Sequence, residues 1–225
     1  MNSSVYKSLV FVSLAVCFFS LSIEAQTAKH TVSETERAIL NEINEARKDP
    51  KRYIVYLEDY RKIFRDKTAY YPNGGVIVTK EGLAAIDDAI NFLKVVSPAP
   101  ELELSGGLAQ TSNFQLKNLM ENSSLGHFGK DGSKLPERLL KFGTAGNVVA
   151  ENITYFAPTP REIILTMIID DGTPTRGHRK AVFNQSFRQI GVSFAKGKGR
   201  EQLCVAVFAD SFRDLPLMPA GVRRF

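Results

Sequence analysis

The stretch Leu203-Cys204-Val205-Ala206-Val207-Phe208 is apolar at every position. Six consecutive apolar residues with β-branched members read as a strand buried on both faces, because a half-exposed strand would alternate apolar and polar. Just before it, Ile190, Val192 and Phe194 do alternate, as in a half-buried strand. Between the two, Lys196-Gly197-Lys198-Gly199-Arg200 has the glycines and charges of a hairpin turn. Asn147 to Ile153 reads as a further strand.

Helical signals fill the rest of the chain. Ser33-Glu34-Thr35-Glu36 has the form of a capping box, and Ile39, Ile43 and Ala46 follow at helical spacing until Asp49-Pro50. A second helical pattern holds Ile54, Leu57 and Phe64. After the turn cluster 70–75 and a short β-branched run at Val76 to Val78, Leu83, Ile86, Ile90 and Leu93 mark a third helix, ended by Ser97-Pro98. Leu108, Leu116 and Leu119 mark a fourth, with Ser105 as its cap. A short helical piece spans Leu135 to Leu140 in an otherwise irregular region. Thr159-Pro160-Arg161-Glu162 is another capping box, opening a helix with Ile163, Ile164, Met167 and Ile168 on its apolar face and Gly172 at its end. With no internal repeat and no second composition regime, the pattern is one mixed α and β domain.

The first 25 residues stand apart. Lys7 precedes an apolar run from Leu9 to Leu21, too short to span a bilayer and right for a signal-peptide core, with Ala25 at the cleavage point. Removal of residues 1–25 leaves 26–225 as the mature chain, with no transmembrane helix and a secreted or periplasmic destination. It takes away one base, Lys7, and one acid, Glu24, so the net charge stays at +5. Nucleic acid is not expected as the partner of an exported chain whose charges are interspersed; anionic cell-surface polymers or lipid headgroups are better placed. Of the two cysteines, Cys17 lies in the leader and Cys204 in the apolar strand, so no internal disulfide forms and Cys204 packs as a small hydrophobe.

Three histidines are present. His30, near the new N-terminus, reads as solvated. His127 and His178 sit in polar, Gly-rich settings rather than on apolar helical faces. Glu151 lies inside a strand-like apolar stretch, where a carboxylate is costly unless paired; Asp170 and Asp171 end the helix that leads to His178. Two imidazoles and two carboxylates suit a divalent cation, an acid and base pair, or a purely structural hydrogen-bonded cluster. Spacing alone leaves these open, and there is no His-Glu-x-x-His, Gly-x-Ser-x-Gly or phosphate-cradling glycine loop. The Arg176, Arg179 and Lys180 cluster would draw anionic ligands or pair with Asp170 or Asp171. Asn122, Asn152 and Asn184 stand in glycosylation sequons, that of Asn152 placed by chance beside Glu151 in the core.

A set of ordered motifs resembles the CAP superfamily (SCP domain), whose members include cysteine-rich secretory proteins, venom allergens and plant pathogenesis-related proteins. It comprises His127 with Asp131-Gly132-Ser133, Ala150-Glu151-Asn152-Ile153-Thr154-Tyr155, Ile168-Ile169-Asp170-Asp171-Gly172 and Arg176-Gly177-His178-Arg179-Lys180. The strand Ile190-Gly191-Val192, the strand 204–209, and Asn44 with Arg47 complete it. The resemblance implies an α+β fold, a three-layer α-β-α sandwich around a mainly antiparallel sheet, over a single domain at 26–225. Residues 53–100 form a branch-specific helical extension and 101–212 carry the core motifs. It also implies a cleft tetrad of His127, Glu151, Asp170 and His178, with Asp171 the alternative to Asp170, open to zinc, magnesium or calcium. Met167 stands where relatives have Trp, Phe156 where Gly often follows the Tyr, and Ala181 where Asn is common. The expected function is an exported binding module, with a lipid, sterol or anionic cell-surface component as ligand. The alternatives are a metal-assisted peptide or ester hydrolase using Glu151 with His127 and His178, and a structural secreted domain.

Overall fold

A computed structural model describes residues 30–72, 74–121, 126–196 and 202–215. The leader, the 197–200 turn, the Asn122 sequon and the C-terminal tail lie outside them. In chain order the elements are α1 (Glu34–Lys48), α2 (Arg52–Arg61), β1 (Phe64–Arg65), β2 (Thr68–Tyr70), β3 (Val76–Val78) and α3 (Leu83–Val95). Then come β4 (Glu103–Leu104), α4 (Gly106–Glu121), α5 (Leu135–Leu140), β5 (Gly143–Ala145) and β6 (Val149–Tyr155). The chain continues through α6 (Pro160–Ile169), α7 (Gly177–Val182), β7 (Gln189–Lys196), β8 (Gln202–Ala209) and β9 (Phe212–Asp214).

The four-stranded sheet runs β4-β7-β8-β6, antiparallel except for the short β4–β7 pair. Strand β8 is central, and its alternating side chains enter two different cores. Cys204, Ala206 and Phe208 join Ile190 and Val192 of β7 and the apolar faces of α1, α2, α3, α6 and α7. Leu203, Val205, Val207 and Ala209 face the other way, onto Leu108, Leu116 and Leu119 of α4 and Leu139 of α5. The result is an α+β, three-layer α-β-α sandwich. Helix α4 lies so close to β7 that a Cβ on Gly191 would come 2.0 Å from the backbone carbon of Leu108. Glycine is required there by the close approach of two backbones.

Local signals account for the helix ends. Ser33 caps α1, its Oγ accepting from the Glu36 N–H while the Glu36 carboxylate accepts from the Ser33 N–H. Thr159 caps α6, its Oγ1 accepting from the Glu162 N–H while its hydroxyl, and not its backbone N–H, donates to the Glu162 carboxylate; Ser105 caps α4 by accepting from the Leu108 N–H. Three sequence expectations shift. Helix α2 stops at Arg61, and Phe64 opens β1, where it pairs across to Ala69. The third strand of the core sheet begins at Val149 and runs to Tyr155. Helix α6 ends at Ile169, three residues before Gly172, because Asp170 takes up the left-handed C-cap conformation (φ 52°, ψ 48°). Aspartate is one of the few non-glycine residues that tolerate this region.

Two buried polar residues tie the layers together. Arg47 is 0% exposed, and its guanidinium donates to four carbonyls, those of Pro100, Val182, Asn184 and Phe187. Burial, with Arg188 nearby, lowers its pKa to about 10. Asn44, three residues earlier and so on the same face of α1, both donates to and accepts from the backbone of Leu102. The Asn-x-x-Arg pair is thus a clamp that joins α1 to two loops.

Candidate functional site

Strand β6 with Glu151, the loop before α5 with His127, the C-cap of α6 at Asp170 and the first turn of α7 with His178 bring two histidine–carboxylate pairs face to face. His127 Nδ1 lies 3.0 Å from Glu151 Oε1, and His178 Nδ1 lies 3.0 Å from Asp170 Oδ1. The two imidazole centroids are 6.5 Å apart, with ring planes inclined at 56°. The carboxylates are buried, Glu151 at 2% and Asp170 at 1% side-chain exposure, whereas His127 is 53% and His178 25% exposed. The polar bases thus sit inside, and the rings open toward solvent.

Each pair is held by a second set of contacts. Glu151 Oε2 accepts from Arg138 Nη2 at 2.7 Å, and the Arg138 guanidinium, 0% exposed, also donates through Nη1 to the carbonyls of His127 and Ser133. Gln115 of α4, fully buried, donates to the carbonyls of Gly126 and Phe128 on either side of His127. The loop carrying His127 is therefore anchored by its backbone, and the carboxylate that faces the ring is anchored by a buried cation. Neither Arg138 nor Gln115 is singled out by local sequence: each looks like one more polar residue on a helix until its distant partners are known.

Asp170 serves His178 twice. Its Oδ1 faces the ring and its Oδ2 accepts from the His178 backbone N–H at 2.8 Å. Burial alone would raise the Asp170 carboxyl pKa; the imidazole and the backbone donors outweigh it, so the group lies below its ordinary value and stays ionised. Asp170, Gly172 and Arg176 all have positive φ within seven residues. The two non-glycine members cost roughly 1–3 kcal/mol each in local strain, so the segment keeps its shape through outside contacts.

Asp171 points elsewhere. Its carboxylate accepts from the N–H groups of Lys80, Glu81 and Gly82, at the entry to α3. That helix has no acidic residue in its first turn and no side-chain cap, so Asp171 supplies the anion its N-terminus favours. Arg176 and Arg179 do not pair with Asp170 or Asp171 either. Arg176 grips Glu81 and Asp88, and Arg179 pairs with Asp88 and donates to the carbonyls of Ile168 and Ile169. His30 is not solvated: its Nε2 lies 3.0 Å from the buried Glu36 carboxylate, which also accepts from the Phe194 N–H on the outer edge of β7. Asn152 is 1% exposed and donates to the His178 carbonyl, so its sequon is closed to a glycan.

Among the described residues no group of three or more His, Cys, Asp or Glu side chains is arranged to hold a metal ion, and no helix is long and apolar enough to cross a membrane. Two surface grooves, of about 350 and 450 Å³, lie away from both histidines. The first runs between the starts of α1 and α6, past Ala38, Pro158 and Phe194.

A mixed α-β-α sandwich presenting paired imidazoles over buried carboxylates defines the class. Residues 40–208 match the profile of the cysteine-rich secretory protein (CAP) family, three quarters of the chain, and the chain belongs to that family. No curated protein matches it. Among solved structures it is similar to an outer surface protein of Borrelia burgdorferi, 18% identical over 56% of this chain and 89% of that one, with a TM-score of 0.43. It is also similar to the Schistosoma mansoni venom allergen-like protein 4, 17% identical over 79% and 88%, TM-score 0.43. A third similar structure, NaASP2 with Zn2+, is 12% identical over 79% and 80%, TM-score 0.39.

Proposed function

We propose that the protein is an exported binding module whose cleft takes up a divalent cation between His127 and His178. The observation that supports this most is the pairing of both rings through Nδ1 with buried carboxylates. A carboxylate that orients the Nδ1 side of an imidazole fixes the tautomer and raises the basicity of Nε2, as the outer shell of histidine metal sites does. The donor set fits a two-imidazole site better than a four-ligand one, because both oxygens of Glu151 and both of Asp170 are already engaged. His127 and His178 would hold the ion, and a bound ion would supply Lewis acidity and positive charge at the cleft mouth. The cleft would then favour a carboxylate or phosphate of an anionic cell-surface component, which a chain of net charge +5 attracts. Export is supported by the apolar run Leu9 to Leu21 behind Lys7.

Binding is favoured over hydrolysis by the same geometry. A general base must reach the water that it deprotonates, and the Glu151 carboxylate is 2% exposed, enclosed between His127 and Arg138. The test is calorimetric titration of the protein with zinc, magnesium and calcium beside a His127→Ala/His178→Ala variant. Saturable uptake of one ion, lost in the variant and weakened on acidification because imidazolium does not ligate, is the expected result. Equal uptake by the variant, or none by the wild type, overturns the reading.

A further inference from the structure

The two halves of the cleft are held by unlike devices. The His127 half rests on Arg138 and Gln115, both fully buried. The His178 half rests on ionic contacts to the start of α3. Arg176 Nη1 and Nη2 meet Glu81 Oε1 and Oε2 at 2.7 and 2.6 Å, and Arg176 Nε meets Asp88 Oδ2 at 3.0 Å. The same guanidinium donates to the carbonyl of Asp170 at 2.9 Å and of Thr173 at 3.3 Å. Glu81 also accepts from the Gly172 N–H, while Asp171 accepts from the N–H groups of residues 80–82, so the two segments are stitched in both directions. Asp88 continues onto Arg179, the residue after His178.

Resting on the reading of His178 as a cleft ligand, we propose that Glu81 and Asp88 are positioning residues for it. The left-handed turns at Asp170 and Arg176 are conformations that this stretch would not choose unaided. Arg176 selects them by gripping the Asp170 carbonyl, and Arg176 is itself oriented by Glu81 and Asp88. The Asp170 carboxylate then reaches both the ring and the backbone N–H of His178. Residues 81–88 therefore build half of a cleft whose ligands lie elsewhere in the chain. Because Arg176, Glu81 and Asp88 are 15%, 31% and 50% exposed, this half responds to ionic strength, and the half around the buried Arg138 does not.

The test reads imidazole tautomers and amide exchange in the 15N-labelled protein at about pH 8, where unperturbed imidazole is neutral. Wild-type His178 is expected as the Nδ1–H form, donating to ionised Asp170. In Glu81→Gln/Asp88→Asn a substantial Nε2–H population should appear, with the His178 amide exchanging at least about tenfold faster, while the His127 signals stay put. Arg176→Lys, which keeps the charge and loses the fork, and the wild type in about 1 M salt, where the screening length is near 3 Å, should shift His178 in the same sense. These two cover the case in which the double variant fails to fold. Unchanged His178 signals in the folded variants and in salt overturn the proposal, and so does an equal loss at both histidines, which would mean general loosening. Addition of zinc to the wild type separates the two ideas. Failure of either ring to shift sinks the cation site and leaves the tautomer comparison standing.

Discussion

Replacing Arg138 by Met removes the cation beside Glu151 while keeping most of the side-chain volume. The carboxylate is 2% exposed and the guanidinium 0%, so the variant leaves a buried charge with only the His127 ring beside it, and frees the carbonyls of His127 and Ser133. Breaking a buried pair from one side costs about 3–5 kcal/mol. For a chain of this size each kcal/mol lowers the melting temperature by about 2–4 °C, so a fall of about 6–20 °C is expected. The second arm of the experiment decides the cause. Glu151→Gln in the same background removes the stranded charge and keeps an oxygen for the His127 ring. The double variant should therefore recover most of the loss, and the cycle of four proteins should give a coupling of at least about 2 kcal/mol. Urea unfolding at neutral pH supplies the free energies, with a constant slope as the check that the denatured state is unchanged. A coupling below about 0.5 kcal/mol would refute the reasoning, because it would place the cost of Arg138→Met in packing and not in the ion pair.

Gly191→Ala should cost about 3 kcal/mol, at the upper end of overpacking effects, because its Cβ would meet the Leu108 backbone and not a movable side-chain tip; a melting curve within 2 °C of wild type would contradict this. Glu81 has its pKa lowered to about 2 by its hydrogen bonds with Arg176 and the Gly172 N–H. A depressed carboxyl contributes stability above its ordinary pKa of 4.5 and loses it as pH falls toward 2. Melting temperature should decline over that window, and less steeply in Glu81→Gln. The Cys204 thiol, pushed up to about 12 chiefly by burial, should ignore a disulfide reagent at pH 8 in the native protein and react in urea. Reaction at the native rate of an exposed thiol would show that β8 opens.

Much of the scaffold could be read from local pattern. The unbroken apolar run in β8, the alternation in β7, and the caps at Ser33, Ser105 and Thr159 each depend on neighbours within a few residues, and each appears in the fold. What escaped depends on partners far along the chain. Glu36 reads as half of a capping box, and its second role, receiving His30 and the edge amide of Phe194, involves a residue 158 positions away. Arg176 and Arg179 find their acids at Glu81, just before α3, and at Asp88 on it, about 90 positions upstream, so of the two local readings of this cluster the pairing with Asp170 or Asp171 fails. The helix end at Asp170 escaped for another reason: rules for helix ends favour glycine, and here a side chain engaged by both the ring and the backbone N–H of His178 holds the left-handed turn. The four cleft residues came into view through ordered family motifs, since their spacing alone left metal, acid–base and structural readings open. The structure adds which nitrogen of each ring is engaged, and by what.

The central strand has a kinetic consequence. Because odd residues of β8 belong to one core and even residues to the other, neither core can come apart while the other stays whole. The sandwich should therefore open as one cooperative unit, without a half-folded species exposing a single face. Amide protons of residues 204–208 should be the last to exchange. Their rate would report the global free energy of unfolding, while the Asp170 to Arg176 segment samples local openings far below it.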